Sequence, residues 1–138
     1  MLLKYLPVAI NIATSKVTII GGSAEGIKKA KRLARLTNDV TFISTEIPEE
    51  LKLLPFQFVK KEFDVGDLQD VKVLFVCTAD KEQNHRIKQI AEKRGILTSV
   101  CDDREYCDFI SPAVYCCDNF PISISSDGED VRRSIRVR

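Results

Sequence analysis

The feature that most restricts the fold is the alternation of short β-branched runs with longer stretches of helical or polar pattern. Runs rich in valine, isoleucine and phenylalanine recur between residues 16 and 101. This order is typical of a parallel sheet covered by helices, because parallel neighbours need a crossover connection between them. We predict strands at Lys16–Ile20, Val40–Ile43, Phe56–Val59, Val71–Cys77 and Ile96–Cys101.

Two of the connections have the pattern of amphipathic helices. From Ala24 to Leu36, apolar residues fall at helical spacing, and lysines and arginines occupy the opposite face. A second helix is predicted from Lys81 to Arg94, because the following Gly95 is a common residue at a helix C-terminus. Both helices connect strands, as a parallel sheet requires.

The pattern changes after the fifth predicted strand. An apolar piece at Ala113–Cys117 precedes an alternating strand at Pro121–Ser125, and Glu129–Arg138 is typical of one or two helical turns. We therefore predict an α/β fold, with a parallel sheet flanked by helices and a short carboxyl-terminal β extension. The predicted division is residues 1–112 and residues 113–138.

Composition limits the classes of partner. The length of 138 residues, 44% of them hydrophobic, is typical of one globular domain. The net charge of +1 is too small for general electrostatic binding of nucleic acid. Apolar stretches fall short of the roughly 20 residues needed to span a bilayer, and the amino terminus lacks a signal-peptide pattern. Five cysteines, three of them in apolar runs, favour buried reduced thiols. We expect a cytoplasmic protein with neither nucleic acid nor membrane as partner.

A glycine-rich segment joins the first strand to the first helix. It has the G-x-G-x-x-G spacing at Gly21, Ser23 and Gly26, with serine in place of the second glycine. A helix N-terminus after such a turn favours the pyrophosphate of a dinucleotide, although a plain tight turn is the alternative. We predict a Rossmann-type fold that binds NAD. The predicted phosphate-binding residues are Gly21, Gly22, Ser23, Ala24 and Glu25.

Two other strand ends complete the predicted cofactor site. After the second strand, Glu46 or the Thr45 hydroxyl is placed to bind the adenosine ribose, and the lack of an arginine there favours NAD over NADP. After the fourth strand, Thr78, Ala79 and Asp80 face the same crevice, where small residues suit a nicotinamide or ribose. The alternative for Asp80 is a helix N-cap.

Ordered motifs along nearly the whole chain resemble one family. The resemblance is carried by Tyr5-Leu6-Pro7, Val17 to Gly22, Thr78-Ala79-Asp80 with Asn84, Ser99 to Asp102, Phe109 to Ala113 and Pro121 to Ser126. In this order and spacing they resemble the amino-terminal domain of siroheme synthase and its stand-alone relatives, the precorrin-2 dehydrogenases. The resemblance implies an NAD-dependent oxidation of precorrin-2 to sirohydrochlorin in the siroheme pathway. Some members also insert ferrous iron, which is ferrochelatase activity.

The resemblance also implies roles for particular residues. The family's essential aspartate corresponds to Asp102, and a serine that lines its tetrapyrrole cavity corresponds to Ser126. For Asp102 the alternative is a solvated loop pair with Asp103. The chain departs from the family at Ser23 and Asp127, where glycine is usual. The family continues into a helical region that builds a dimer and closes the tetrapyrrole site, so we expect a homodimer through residues 113–138.

Arginines are the expected donors for a substrate that carries many carboxylates. Arg104 follows the aspartate loop, and Arg132 belongs to a basic cluster at the carboxyl end, although a solvated helix face is the alternative. His85, the single histidine, is interpreted as a surface residue, and the cysteine spacing identifies no metal site. Two other functions remain open: a non-catalytic Rossmann module that binds NAD or a tetrapyrrole, and a ligand-gated regulatory domain.

Overall fold

The computed structural model describes residues 1–127 and Arg136. The chain divides into two compact units, one formed by Ile10–Asp108 and the other by Met1–Ala9 together with Phe109–Arg138. The first unit contains the sheet and both long helices. The sequence-based division after residue 112 stays a prediction.

The larger unit is a five-stranded parallel sheet with the strand order β3-β2-β1-β4-β5. Its strands are β1 (Lys16–Ile20), β2 (Val40–Ser44), β3 (Gln57–Lys60), β4 (Val71–Val76) and β5 (Leu97–Val100). The helices are α1 (Ala24–Ala34), which follows β1, and α2 (Lys81–Lys93), which joins β4 to β5. The predicted α/β fold with a parallel sheet and flanking helices is confirmed.

Element boundaries differ from the prediction by one or two residues, for local reasons. Helix α1 ends two residues early because the N–H of Leu36 and that of Thr37 both turn back to the Leu33 carbonyl, each at 2.9 Å. Strand β5 begins one residue late because the Ile96 N–H donates to the Ala91 carbonyl at 3.1 Å and so closes α2. Gly95, with φ of 70°, makes that closing turn.

The core lies between the central strands and α2. Leu74 and Val76 of β4 pack with Ile87 and Ala91 of α2, and all four are fully buried. The same helix also buries a charge, because Lys88 is only 6% exposed. Its Nζ lies 2.5 Å from Asp108 Oδ1, and the other oxygen of Asp108 accepts from the Thr98 N–H at 2.9 Å. The ion pair compensates the buried charge and attaches the end of this unit to edge strand β5.

The cysteine prediction is wrong at one pair. Cys77 and Cys101 form a disulfide, with their Cα atoms 5.2 Å apart, whereas we expected reduced thiols. The physical reason is the pairing of β4 with β5: Val76 lies opposite Val100, so the two cysteines that follow also lie side by side. Their separation of 24 residues conceals this neighbourhood until the strand order is known.

The smaller unit contains an antiparallel hairpin, β6 (Ala113–Cys117) with β7 (Phe120–Ile124). In the same unit, the Asp127 carboxylate accepts from the Lys4 N–H at 3.0 Å and from the Tyr5 N–H at 2.9 Å. These hydrogen bonds lower the pKa of Asp127. The helical turns predicted at 129–138 lie outside the described residues, apart from Arg136. In the described part of the chain, no helix is long and apolar enough to cross a membrane.

Candidate functional site

The candidate site lies at the carboxyl edge of the sheet, where the strand order reverses between β1 and β4. Gly21 leaves β1 with φ of 105°, a conformation that favours glycine. A Cβ on Gly21 would lie 2.3 Å from the Cys77 carbonyl carbon, and a Cβ on Gly26 would lie 2.3 Å from the Gly21 carbonyl oxygen. Both positions therefore exclude a side chain. Glycine at these two positions allows β1, β4 and α1 to approach closely.

Ser23, which replaces the second glycine of the motif, is the N-cap of α1. Its Oγ accepts from the Gly26 N–H at 3.3 Å, and its own N–H donates to the Cys77 carbonyl at 3.3 Å. The serine hydroxyl still has a hydrogen to donate, so it can cap the helix and bond a phosphate oxygen at once. Helix α1 starts at Ala24, and its first residues, Ala24 and Glu25, line the crevice, where a helix start favours an anion.

Two cavities flank the turn Gly21-Gly22-Ser23, called the glycine turn below. The larger, of about 680 Å³, lies on the side of β2 and β3 and is lined there by Thr45, Glu46 and Lys61. A Cβ on Gly22 would lie 3.1 Å from Ser44 Oγ in its wall. The predicted ribose-binding residues therefore lie together at one cavity, and the prediction that they bind ribose stays open.

The smaller cavity, of about 380 Å³, lies on the side of β4 and β5. Its lining combines the start of α1, the loop after β4 and the loop after β5. The lining residues that carry the argument are Ala24, Glu25, Thr78, Lys81, Asn84 and Asp102. Ser23, Thr78 and Ala79 line both cavities. The two cavities thus meet at the glycine turn, as a ligand with two halves joined by a pyrophosphate requires.

The loop after β4 is positioned by a buried amide. The Asn84 side chain, which is 6% exposed, accepts from the Thr78 N–H through Oδ1 and donates to the Thr78 carbonyl through Nδ2, both at 3.1 Å. The Thr78 hydroxyl also bonds Asn84 Oδ1. Asp80 accepts from the Glu82 N–H at 3.0 Å and is the N-cap of α2. The structure therefore shows the capping role that was the alternative to cofactor binding. Asp80 also lines the larger cavity.

The loop after β5 contains the predicted catalytic aspartate. Asp102 has φ of 61°, a left-handed conformation that aspartate adopts more readily than most residues, and it lines the smaller cavity. Oδ2 of the neighbouring Asp103 lies 2.6 Å from Nε2 of His85. The His85 ring stacks on the Tyr106 ring, with their centres 3.8 Å apart. His85 is therefore half-buried and holds this loop, and its interpretation as a surface residue is corrected.

Sequence reasoning missed His85 and Asn84 as positioning residues because their partners lie in other loops. Asn84 appeared only as part of a motif, and its spacing of six residues from Thr78 was the available signal. The Asp103 partner of His85 comes 18 residues later, so only the packing of α2 beside the β5 loop brings them together.

The three predicted substrate residues are separated in the chain. Arg104 begins a 3₁₀ helix, Arg104–Tyr106, in the larger unit and is exposed. Ser126 belongs to the smaller unit. Arg132 lies outside the described residues. In residues 1–127 and at Arg136, no group of three or more histidine, cysteine, aspartate or glutamate side chains is placed to hold a metal ion.

The strand order, the glycine turn at the reversal point and the flanking cavities define a Rossmann-type dinucleotide-binding protein. The residues fit the cofactor, because the small residues Gly22 and Ser23 stand in the wall of the larger cavity, Ser23 also lines the smaller one, and α1 begins directly after them. The family described as "Putative NAD(P)-binding" matches residues 8–113, and the chain belongs to this family.

Curated relatives share most of this chain. The siroheme synthase of Blochmanniella pennsylvanica is 33% identical over 131 residues, which are 92% of this chain and 27% of that protein. The siroheme synthase of Nitrosomonas europaea is 30% identical over 91% of this chain and 28% of that protein. The chain therefore spans about a quarter of the length of these relatives. The predicted resemblance to siroheme synthase is confirmed.

A solved structure has the same fold. The protein titled "SirC, precorrin-2 dehydrogenase" superposes with a TM-score of 0.72 at 15% sequence identity, covering 96% of this chain and 67% of that chain. At this identity the likeness supports the architecture alone.

Proposed function

We propose that the chain catalyses the NAD-dependent oxidation of precorrin-2 to sirohydrochlorin, in the cytoplasm and as part of siroheme synthesis. The observation that carries the proposal is the position of Asp102, which lines the cavity on the β4 and β5 side of the glycine turn. The siroheme synthases to which the chain is similar support the choice of substrate.

The oxidation removes a hydride and a proton from the macrocycle, and NAD supplies the hydride acceptor when it is bound. The glycine turn and the start of α1 bind the pyrophosphate, with Gly21, Gly22, Ser23, Ala24 and Glu25 at the contact. Asp102 accepts the proton, since a carboxylate placed beside the reacting carbon is a general base. Thr78, which Asn84 holds, and Ala79 line both cavities and would contact the cofactor where it passes from one cavity to the other.

The substrate carries many carboxylates, and arginine donors complete its recognition. In this proposal Arg104, Ser126 and Arg132 contact the tetrapyrrole, and the chain functions as a homodimer through residues 113–138. Insertion of ferrous iron into the product is a second activity of the same site, with the iron as substrate.

A turnover assay tests the proposal. Purified protein is mixed with precorrin-2 and NAD without oxygen, and sirohydrochlorin is followed by its absorbance. Formation of product that depends on both protein and NAD is the expected result. Binding of NAD without turnover would contradict the enzymatic proposal and favour a non-catalytic module, for which the replacement of glycine by Ser23 in the turn is the supporting observation. A second assay adds ferrous iron to sirohydrochlorin and measures siroheme.

A further inference from the structure

An ion pair forms part of the wall of the larger cavity, and neither of its residues has a role in the proposed reaction. Lys61 Nζ lies 2.6 Å from one oxygen of Asp67 and 2.8 Å from the other. Lys61 lines the cavity, and among the described lining residues it is the only lysine or arginine. We infer that Asp67 determines the preference for NAD over NADP by neutralising Lys61, a cation that would otherwise bind the 2′-phosphate of NADP.

The position of Lys61 places it beside the predicted ribose site. Its backbone N–H donates to the Ser44 carbonyl at 3.0 Å, so it follows β3 directly next to the end of β2. Thr45 and Glu46, which come after that end, line the same cavity. The 2′-hydroxyl of the adenosine ribose, where NADP carries its extra phosphate, is expected at the end of the second strand in this fold.

Asp67 is fixed independently of the lysine. Its side chain is 14% exposed, and its Oδ2 also accepts from the Asp64 N–H at 2.8 Å, in a capping box of the 3₁₀ helix Val65–Leu68. A carboxylate anchored in this way keeps both oxygens on the ammonium group. Two of the three N–H donors of Lys61 are therefore committed to Asp67, and a phosphate that accepted from the third would lie beside the Asp67 carboxylate, which repels it.

The remaining charges of the cavity act in the same direction. Glu46, Glu62 and Asp80 also line it, so a 2′-phosphate would enter a negative environment once Lys61 is neutralised. NAD presents a hydroxyl at that position, which can donate to a carboxylate such as Glu46 without repulsion. The preference thus comes from disfavouring NADP as much as from binding NAD.

This inference rests on the proposed function only for the binding of a dinucleotide at the glycine turn. The absence of an arginine after β2 suggested an NAD preference from sequence, but the available cation, Lys61, follows β3. Its neutralising partner lies six residues further along the chain. The sequence alone therefore identified neither Lys61 as the available cation nor Asp67 as the group that neutralises it.

The test is the ratio of the dissociation constants of NADP and NAD, measured by calorimetry on the whole chain. In Asp67→Asn the amide can still accept from the Asp64 N–H, while the charge that neutralises Lys61 is removed. We expect NADP affinity to rise about tenfold or more, the size of one charge-assisted hydrogen bond, with NAD affinity nearly unchanged. Glu50→Gln is the matched control, because it removes the same charge from an exposed pair with Lys31 and should leave the ratio unchanged.

A double variant separates Lys61 from a general change of charge. Asp67→Asn combined with Lys61→Met should return the ratio to about that of the wild type. If Asp67→Asn leaves the ratio unchanged while NAD still binds, or if the gain persists without Lys61, the inference is wrong and the proposed function is untouched. If the wild type binds neither dinucleotide, the proposed function fails and this inference fails with it.

Discussion

At the scale of single residues, the site depends on two positions with left-handed backbone. Gly21 has φ of 105° and Asp102 has φ of 61°. The first was predictable, because a glycine at the end of a strand in the G-x-G-x-x-G spacing indicates such a turn. The second was not, because aspartate adopts many conformations and only the structure shows this one. A substitution at Asp102 can therefore change both the carboxylate and the shape of its loop.

This double effect determines how the proposed catalytic role of Asp102 is tested. Asp102→Asn keeps a side chain that tolerates the left-handed conformation and removes the carboxylate, whereas Asp102→Ala changes both. We expect either variant to lower kcat about 10²-fold or more, the usual scale for losing a positioned acid–base group. NAD affinity, measured by calorimetry, should change little in Asp102→Asn.

Asp103 provides the comparison within the same loop. Asp103→Ala breaks the pair with His85 and should lower the free energy of unfolding by about 1 kcal/mol, with a smaller loss of turnover than Asp102→Asn. Denaturant unfolding and steady-state rates measure the two effects separately. Near-normal rates in both variants would show that Asp102 is a loop residue without a catalytic role.

The phosphate site has its own single-residue test at Gly22. A Cβ there would lie 3.1 Å from Ser44 Oγ and 3.3 Å from the Glu46 carbonyl, so a larger side chain must project into the crevice. Gly22→Asp adds bulk and a negative charge where the pyrophosphate is expected, and it should abolish measurable NAD binding. Circular dichroism is the folding control. A folded variant with intact NAD affinity would place the cofactor elsewhere.

At the scale of elements, the sequence predicts the sheet and its turn well because both are local patterns. The run Lys16–Ile20 is a strand as predicted, and the turn after it leads into α1, as the G-x-G-x-x-G spacing predicts. The contacts between elements could not be predicted. The pairs Lys61 with Asp67 and His85 with Asp103 depend on which loops meet at the carboxyl edge. That arrangement follows from the strand order and not from spacing along the chain.

Helix α1 carries an element-scale prediction in Lys29. Burial lowers the pKa of Lys29 to about 8, with a further contribution from Arg32, and its Nζ lies 4.9 Å from the centre of the Phe75 ring. Between about pH 8 and the unfolded pKa near 10.5, the unfolded chain binds more protons than the folded chain. The free energy of unfolding should therefore rise with pH across this interval.

Lys29→Met is the variant that isolates this effect. We expect the wild type to gain about 1–2 kcal/mol relative to Lys29→Met between pH 8 and pH 10, after allowance for partial solvent exposure. Urea unfolding at the two pH values measures the gain. All other titratable groups are common to both proteins, so the difference between them reports Lys29. Parallel pH dependences in the two proteins would contradict the prediction.

At the scale of the whole molecule, the smaller unit has the features of an association surface. Its hairpin exposes large apolar side chains, with Phe120 75% exposed and Ile122 and Tyr115 each about half exposed. Exposed apolar groups gathered on one short hairpin favour contact with another protein surface. A two-fold homodimer is the commonest arrangement for such a surface. We therefore expect the chain to dimerise through residues 113–138.

Light scattering on matched variants tests the dimer. The wild type should have about twice the monomer mass of 15.6 kDa at micromolar concentration. Phe120→Asp should shift it to the monomer, because a charge at the contact leaves a carboxylate without solvent or a partner. Leu53→Asp is the control: Leu53 is 97% exposed in the larger unit, and the same substitution there should leave the dimer intact. A wild-type monomer, or equal dissociation of both variants, would contradict association through the hairpin. If the dimer forms as expected, Phe120→Asp should also lower tetrapyrrole affinity while sparing NAD, since the glycine turn belongs to the other unit.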